Sequence, residues 1–99
     1  MPPEFLIRIL PAASADLIAI HDFIETNSPQ NATEIIRKLF DAIDSLEIFP
    51  QRYKIHRSNT RVNRVVHSMP VPPFLVFYRI FESDGIVEIM TVRHGARES

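Results

Sequence analysis

The spacing of the apolar residues changes once along this chain, and that change limits the folds open to it. Between residues 29 and 50 apolar side chains recur every three or four positions, which predicts an amphipathic helix of about five turns. From residue 61 onward the pattern changes to a period of two, which predicts strands. A helix with an apolar stripe must bury it against another element. The sequence therefore predicts an α+β fold, with helices packed on one face of an antiparallel sheet.

The first 25 residues predict one strand and one helix. Residues 5–10 are a short apolar and β-branched run, typical of a strand. Residues 12–25 have apolar side chains at helical spacing. We expect Ser14 to be the N-cap of this helix, and Asp16 to lie in its first turn, where the helix dipole favours an anion.

A second helix follows after a short break, so the two helices form a helical hairpin. Ser28 is its expected N-cap, and Pro29 suits the first helical position because its missing N–H is not needed there. Pro50 ends the helix. The apolar stripe consists of Ala32, Ile35, Ile36, Leu39, Phe40, Ile43 and Leu46.

The second half of the chain predicts three strands. Residues 51–60 show no period, so we interpret them as a basic loop. Strands follow at residues 61–69, 74–81 and 86–93, and a hairpin turn with Gly85 precedes the last one. The predicted order is β-α-α-β-β-β, in a single domain that covers residues 1–99.

Alternation assigns the faces of the last two strands. In the predicted strand at residues 74–81, one face carries Phe74, Val76, Tyr78 and Ile80. The opposite face of that strand carries Leu75, Phe77, Arg79 and Phe81. In the last strand Val87, Ile89 and Thr91 oppose Ile86, Met90 and Val92. The helical hairpin is expected to cover one of these faces.

Several classes of site are disfavoured by composition. The chain has no cysteine and only two glycines, which removes thiolate chemistry and glycine-rich phosphate loops. The four histidines, His21, His56, His67 and His94, show no metal-ligand spacing. We therefore expect no metal and no cofactor. No signal peptide or membrane span is recognisable, so we expect a cytoplasmic protein with no membrane partner.

Charge divides the chain into two halves. Residues 1–50 carry three basic and eight acidic side chains, whereas residues 51–99 carry eight basic and four acidic ones. This asymmetry indicates either two faces with different partners or an internally complementary dipole. The basic side chains of the second half are Arg52, Lys54, Arg57, Arg61, Arg64, Arg79, Arg93 and Arg97.

Three basic side chains of the second half suggest chemistry. Arg64 and Arg79 lie in otherwise apolar strands, so each is either paired with an acidic group or held ready for a partner. His94 ends the last strand next to Arg93. It could act as a general acid or base toward phosphate, or could simply bond the backbone at a strand end.

The order of these segments resembles the ParE/RelE toxin superfamily, and the ParE-like toxins above all. An aromatic strand ending in Tyr78-Arg79 is followed by a strand that ends in His94-Gly95-Ala96-Arg97. Upstream, residues 11–17, the paired helices and a helix end with Leu46 and Pro50 match the same pattern. The resemblance covers nearly the whole chain.

The resemblance implies the toxin of a type II toxin–antitoxin pair, of the kind associated with plasmid stabilization and neutralised by a small antitoxin. ParE-like members inhibit DNA gyrase without catalysis, whereas RelE-like relatives cut messenger RNA on the ribosome. Target-binding residues would then be Arg61, Arg64, Arg79, Arg93, His94 and Arg97. Antitoxin-binding residues would be the apolar Leu17, Ile20, Phe23, Ile36 and Phe40, although burial in the core explains most of them equally well.

The choice between these activities turns on the nuclease residues. As a ribonuclease, the chain would use His94 as acid or base, with Arg64, Arg79 and Arg97 around the phosphate. However, Phe74 stands where the resemblance places one arginine, Gly95 lies at or near the place of another, and no tyrosine follows His94. These departures favour the gyrase inhibitor. A ribosome-dependent endoribonuclease and a non-toxic antitoxin-binding module, with or without self-association, remain the alternatives.

Overall fold

The computed structural model describes residues 4–59 and 64–95, in which two helices pack against a five-stranded sheet. The sheet order is β1-β5-β4-β3-β2, with β1 parallel to β5 and every other pair antiparallel. This arrangement confirms the predicted α+β fold. The elements are β1 (Leu6–Ile9), α1 (Pro11–Glu25), α2 (Pro29–Asp44), β2 (Ile55–Asn59), β3 (Arg64–Val71), β4 (Phe74–Phe81) and β5 (Ile86–His94).

The first helix begins earlier than predicted. Pro11 is its first residue and Leu10 its N-cap, which has no side-chain hydrogen bond to the helix. The prediction that Ser14 caps the helix is wrong, since its N–H already bonds the Leu10 carbonyl inside the first turn. The prediction that Asp16 serves the helix dipole is also wrong. Its carboxylate accepts hydrogen bonds from strand β5 instead.

The second helix begins as predicted and ends earlier. Ser28 accepts a hydrogen bond from the Asn31 N–H, and Pro29 occupies the first helical position. Helix α2 ends at Asp44, where two short 3₁₀ turns, Ser45–Glu47 and Pro50–Arg52, carry the chain to the sheet. The helix was therefore predicted about one turn too long.

Half of the predicted basic loop, from Ile55 to Asn59, is an edge strand. Strand β2 pairs with β3, and an irregular register near Ile55 breaks the alternation that would have indicated it. Strand β3 runs on to Val71, two residues past its predicted end. The start of that predicted strand at residues 61–63 lies outside the described residues.

The core lies between the helical hairpin and one sheet face. Tyr78, Val76, Leu39 and Ile43 are completely buried there. The Tyr78 hydroxyl donates a hydrogen bond to the Pro50 carbonyl over 2.7 Å, which ties the sheet to the turn after α2. Burial raises the pKa of the Tyr78 phenol, so the group stays neutral and donating.

A β-bulge corrects the predicted faces of the last strand. Phe77 pairs with Thr91 but Tyr78 pairs with Ile89, so Met90 is an extra residue in β5. Beyond this bulge the faces exchange, and Val92 joins Val87 and Ile89 in the core. The assignment of Thr91 and Val92 by simple alternation was therefore wrong.

Candidate functional site

An apolar groove opens between the two helices beside the end of β1. Helix α1 contributes four side chains to its lining, α2 contributes two, and β1 contributes one. The groove encloses about 310 Å³ and is lined by Ile9, Ser14, Leu17, Ile18, His21, Ile36 and Phe40. Ile18 is 63% exposed and Phe40 is 40% exposed, so apolar surface remains open to solvent at this place.

The groove brings together three of the five side chains predicted to bind an antitoxin: Leu17, Ile36 and Phe40. Ile20 packs against the core and Phe23 lies exposed elsewhere on α1. Spacing alone missed Ile9, because β1 reaches the groove only through the sheet order. It also missed Ser14 and His21, which are polar members of the same α1 stripe.

A cluster of charged side chains lies on the sheet face away from the helices. Strand register places Arg8, Glu88 and Arg79 in one row across β1, β5 and β4. The Glu88 carboxylate accepts from Arg8 Nη2 over 3.0 Å through Oε2, and from Arg79 Nη2 through Oε1. Arg79 is therefore paired with an acidic group, which was one of the two possibilities that the sequence left open.

Glu88 is an ionised carboxylate in this cluster. Burial opposes its ionisation, but hydrogen bonding and charge attraction from Arg79, and then from Arg8, outweigh burial and lower the pKa of Glu88. Phe81 flanks the row, with the Arg8 and Arg79 guanidiniums 5.9 and 5.4 Å from its ring centre. The row thus combines two cations, one anion and an aromatic ring.

The end of β5 carries two more of the predicted target residues, Arg93 and His94. His94 pairs with Phe74, and the two rings meet edge to face with centroids 5.7 Å apart. Since Phe74 belongs to the core face, His94 lies on the helix side of the sheet. Arg93 pairs with Leu75 and is exposed on the opposite face, which it shares with Arg79.

His94 and Arg79 are therefore separated in two ways. They lie on opposite faces of the sheet, and Phe74, the partner of His94, precedes Arg79 by five residues along β4. Five residues of strand span about 17 Å. Arg64 is the first residue of β3, while Arg61 and Arg97 lie outside the described residues.

Two other histidines have structural contacts. His67 stacks on Tyr78 with ring centroids 5.2 Å apart, and its Nδ1 lies 2.9 Å from the Tyr53 carbonyl. His56 meets Phe77 edge to face. Within residues 4–59 and 64–95, no three histidine or acidic side chains group closely enough to hold a metal ion. In the same ranges, no helix is long and apolar enough to cross a membrane.

Comparison with known proteins gives one family. A family model described as the ParE toxin of the type II toxin–antitoxin system parDE matches residues 7–99. The toxin RelE2 of Caulobacter vibrioides is 36% identical over 85 residues, which cover 86% of this chain and 89% of the relative.

Solved structures share the fold at low identity. A chain of the chromosomal ParDE system from P. aeruginosa has a TM-score of 0.73 at 17% identity, over 92% of this chain and 96% of that one. A chain of the archaeal RelE–RelB complex from Pyrococcus horikoshii OT3 has a TM-score of 0.67 at 15% identity, over 95% and 98%. Both likenesses extend over the helical hairpin and the sheet together.

Proposed function

The chain belongs to the ParE toxin family of type II toxin–antitoxin systems, and from this premise we propose that it inhibits DNA gyrase by binding it. It would do so without cutting RNA, and a cognate antitoxin would neutralise it. Such a toxin would act in the cytoplasm, and the pair could stabilise a plasmid that encodes it.

The separation of His94 from Arg79 is the observation that supports this activity most. A ribonuclease needs its acid or base and its phosphate-binding cations around one phosphodiester. His94 and Arg79 lie on opposite faces of the sheet, and Arg79 already pairs with Glu88. Phe74, a core residue, occupies the place where the resemblance puts a catalytic arginine.

The sheet face away from the helices is the surface we propose for gyrase. It presents the exposed Arg93, and it is continuous with the row of Arg8, Glu88 and Arg79. Two further predicted target residues, His94 at the end of β5 and Arg64 at the start of β3, remain part of this proposal. Arg61 and Arg97, which lie outside the described residues, remain predicted contacts.

Gyrase supercoiling tests the proposal directly. Purified toxin is titrated into gyrase with relaxed plasmid, and supercoiling and cleaved DNA are measured on gels. We expect inhibition together with trapped cleaved DNA, and we expect Arg93→Ala to inhibit more weakly. Arg37→Ala is the matched control, because it removes the same charge from exposed α2. Normal supercoiling at a large excess of folded toxin would refute the proposal.

A ribosome-dependent endoribonuclease is the second candidate, and the name of the relative RelE2 favours it. In a translation extract this activity would cleave message, and His94→Ala would abolish cleavage. We expect the message to stay intact with the parent protein and with His94→Ala. A chain that neither arrests growth nor affects either target would instead be a non-toxic antitoxin-binding module.

We also propose that the antitoxin lays an apolar helix in the groove between α1 and α2. An amphipathic helix matches an open groove between two helices, and the exposed Ile18 and Phe40 would then be covered. The remaining predicted antitoxin residues, Ile20 and Phe23, do not line the groove, so this proposal gives them no contact with that helix.

A matched pair of isoleucines tests the groove. Ile18 in the groove and Ile48 outside it are each 63% exposed. Titration calorimetry with the cognate antitoxin should show at least tenfold weaker binding for Ile18→Asp, since a buried charge opposes docking. Ile48→Asp should bind like the parent. If both variants bind equally weakly, or if neither loses affinity, the antitoxin binds elsewhere.

A further inference from the structure

Glu88 is the carboxylate that joins Arg8 and Arg79 in the row on the sheet face proposed for gyrase, and the gyrase proposal assigns it no contact of its own. We propose that Glu88 is a specificity-determining residue, an internal substitute for a nucleic-acid phosphate that keeps single-stranded RNA off this sheet face. The inference rests on the proposed function, in which the target is a protein and not a message.

The geometry of the row supports this role. A carboxylate and a phosphate both offer a pair of anionic oxygens to guanidinium groups. Each oxygen of Glu88 takes one arginine, Arg8 from β1 and Arg79 from β4. The Glu88 side chain is 8% exposed, whereas those of Arg8 and Arg79 are 52% and 21% exposed, so the anion is the most buried of the three groups.

Without the carboxylate the same row would suit single-stranded nucleic acid. Two guanidiniums would remain beside the Phe81 ring, and cations next to an aromatic ring bind backbone phosphate and stacked bases. With Glu88 in place, an incoming phosphate must displace a carboxylate that then stays nearly buried without a partner. That outcome is strongly unfavourable.

Strand pairing explains how the sequence builds the row. The β4–β5 hairpin places Glu88 opposite Arg79, and the parallel pairing of β1 places Arg8 on its other side. The three side chains therefore need no loop to bring them together. A substitution at Glu88 changes the charge of the row without removing any residue from the β4–β5 turn.

Binding of a fluorescent RNA tests the role of Glu88. The probe is a single-stranded oligonucleotide of about ten nucleotides, and anisotropy is measured over a series of salt concentrations. Glu88→Gln should bind roughly tenfold more tightly than the parent, because two charge-assisted contacts become available. Its salt dependence should steepen by about 1.4 in log–log slope, the value for two phosphates on a single strand.

Two controls separate this effect from a change of net charge. Glu34→Gln, on the exposed surface of α2, alters the charge equally and should leave RNA affinity unchanged. Adding Arg79→Gln to Glu88→Gln should return the affinity to that of the parent. If Glu88→Gln does not fold, Glu88→Thr removes the same charge with a side chain that favours strands.

RNA binding by the parent protein and by the Glu88 variants can each refute the inference. If the parent binds the RNA and Arg79→Gln weakens that binding, Glu88 does not exclude phosphate and the inference is wrong. It is equally wrong if folded Glu88 variants gain no affinity. Gyrase inhibition is measured separately, so failure of that assay leaves the RNA result standing, and the reverse holds too.

Discussion

Replacing Tyr78 with phenylalanine removes one hydroxyl from the centre of the core and nothing else. That hydroxyl donates over 2.7 Å to the carbonyl of Pro50, a completely buried residue. A lost hydrogen bond costs about 1 kcal/mol, and an unsatisfied buried carbonyl raises the total to about 2 kcal/mol. For a chain of 99 residues this corresponds to a melting temperature lower by about 10 °C.

Urea unfolding followed by circular dichroism measures the change, with Tyr53→Phe as the control. Tyr53 is half-buried and its ring lies under the Arg52 guanidinium, so loss of its hydroxyl should change stability by less than about 0.5 kcal/mol. The dependence on urea should stay the same in both variants. A Tyr78→Phe protein as stable as the Tyr53→Phe protein would refute the account of how the sheet is tied to the turn after α2.

Three further predictions concern polar contacts away from the core. Asp16→Ala should cost about 1 kcal/mol in urea unfolding, because the Thr91 hydroxyl and the Val92 N–H lose their acceptor. Arg52→Lys should speed amide exchange in the 3₁₀ turns, since one ammonium cannot replace a guanidinium that bonds three carbonyls. The pKa of Glu88 is lowered on folding, so its stabilisation is complete above its ordinary value of 4.5 and is lost as pH falls through the lower folded value. The stability difference between the parent and Glu88→Gln should therefore be constant near neutrality and shrink in acid, whereas a difference that grows in acid would contradict the ion pairing.

The fold was predictable wherever local pattern decided it. The apolar stripe of α2 and the short run of apolar and aromatic residues in β4 identify their elements, because both contribute to one core. Strand β2 was missed because it is an edge strand with a bulge, held by its bonds to β3 and not by apolar alternation. The parallel pairing of β1 with β5 joins residues about eighty positions apart, and nothing in the local sequence encodes it.

In the candidate sites, too, local sequence predicts some contacts, whereas others depend on the order of strands in the sheet. The hairpin turn at Gly85 implies that Arg79 faces Glu88, so that ion pair could have been found from strand register alone. The contribution of Arg8 could not, because it depends on the sheet order. Only the helical part of the groove was predicted. Helical spacing finds Leu17 and Phe40, but it cannot show that Ile9 of β1 lines the same groove.

Measurement of plasmid supercoiling and message integrity in the same induced cells tests the central claim most directly. Expression of the toxin without its antitoxin should leave plasmid relaxed, with gyrase trapped on cleaved DNA, while full-length message persists. Co-expression of the antitoxin should restore supercoiling, and the Ile18→Asp toxin should escape that rescue. Cleaved message with normally supercoiled plasmid would contradict the account and identify the chain as a ribonuclease.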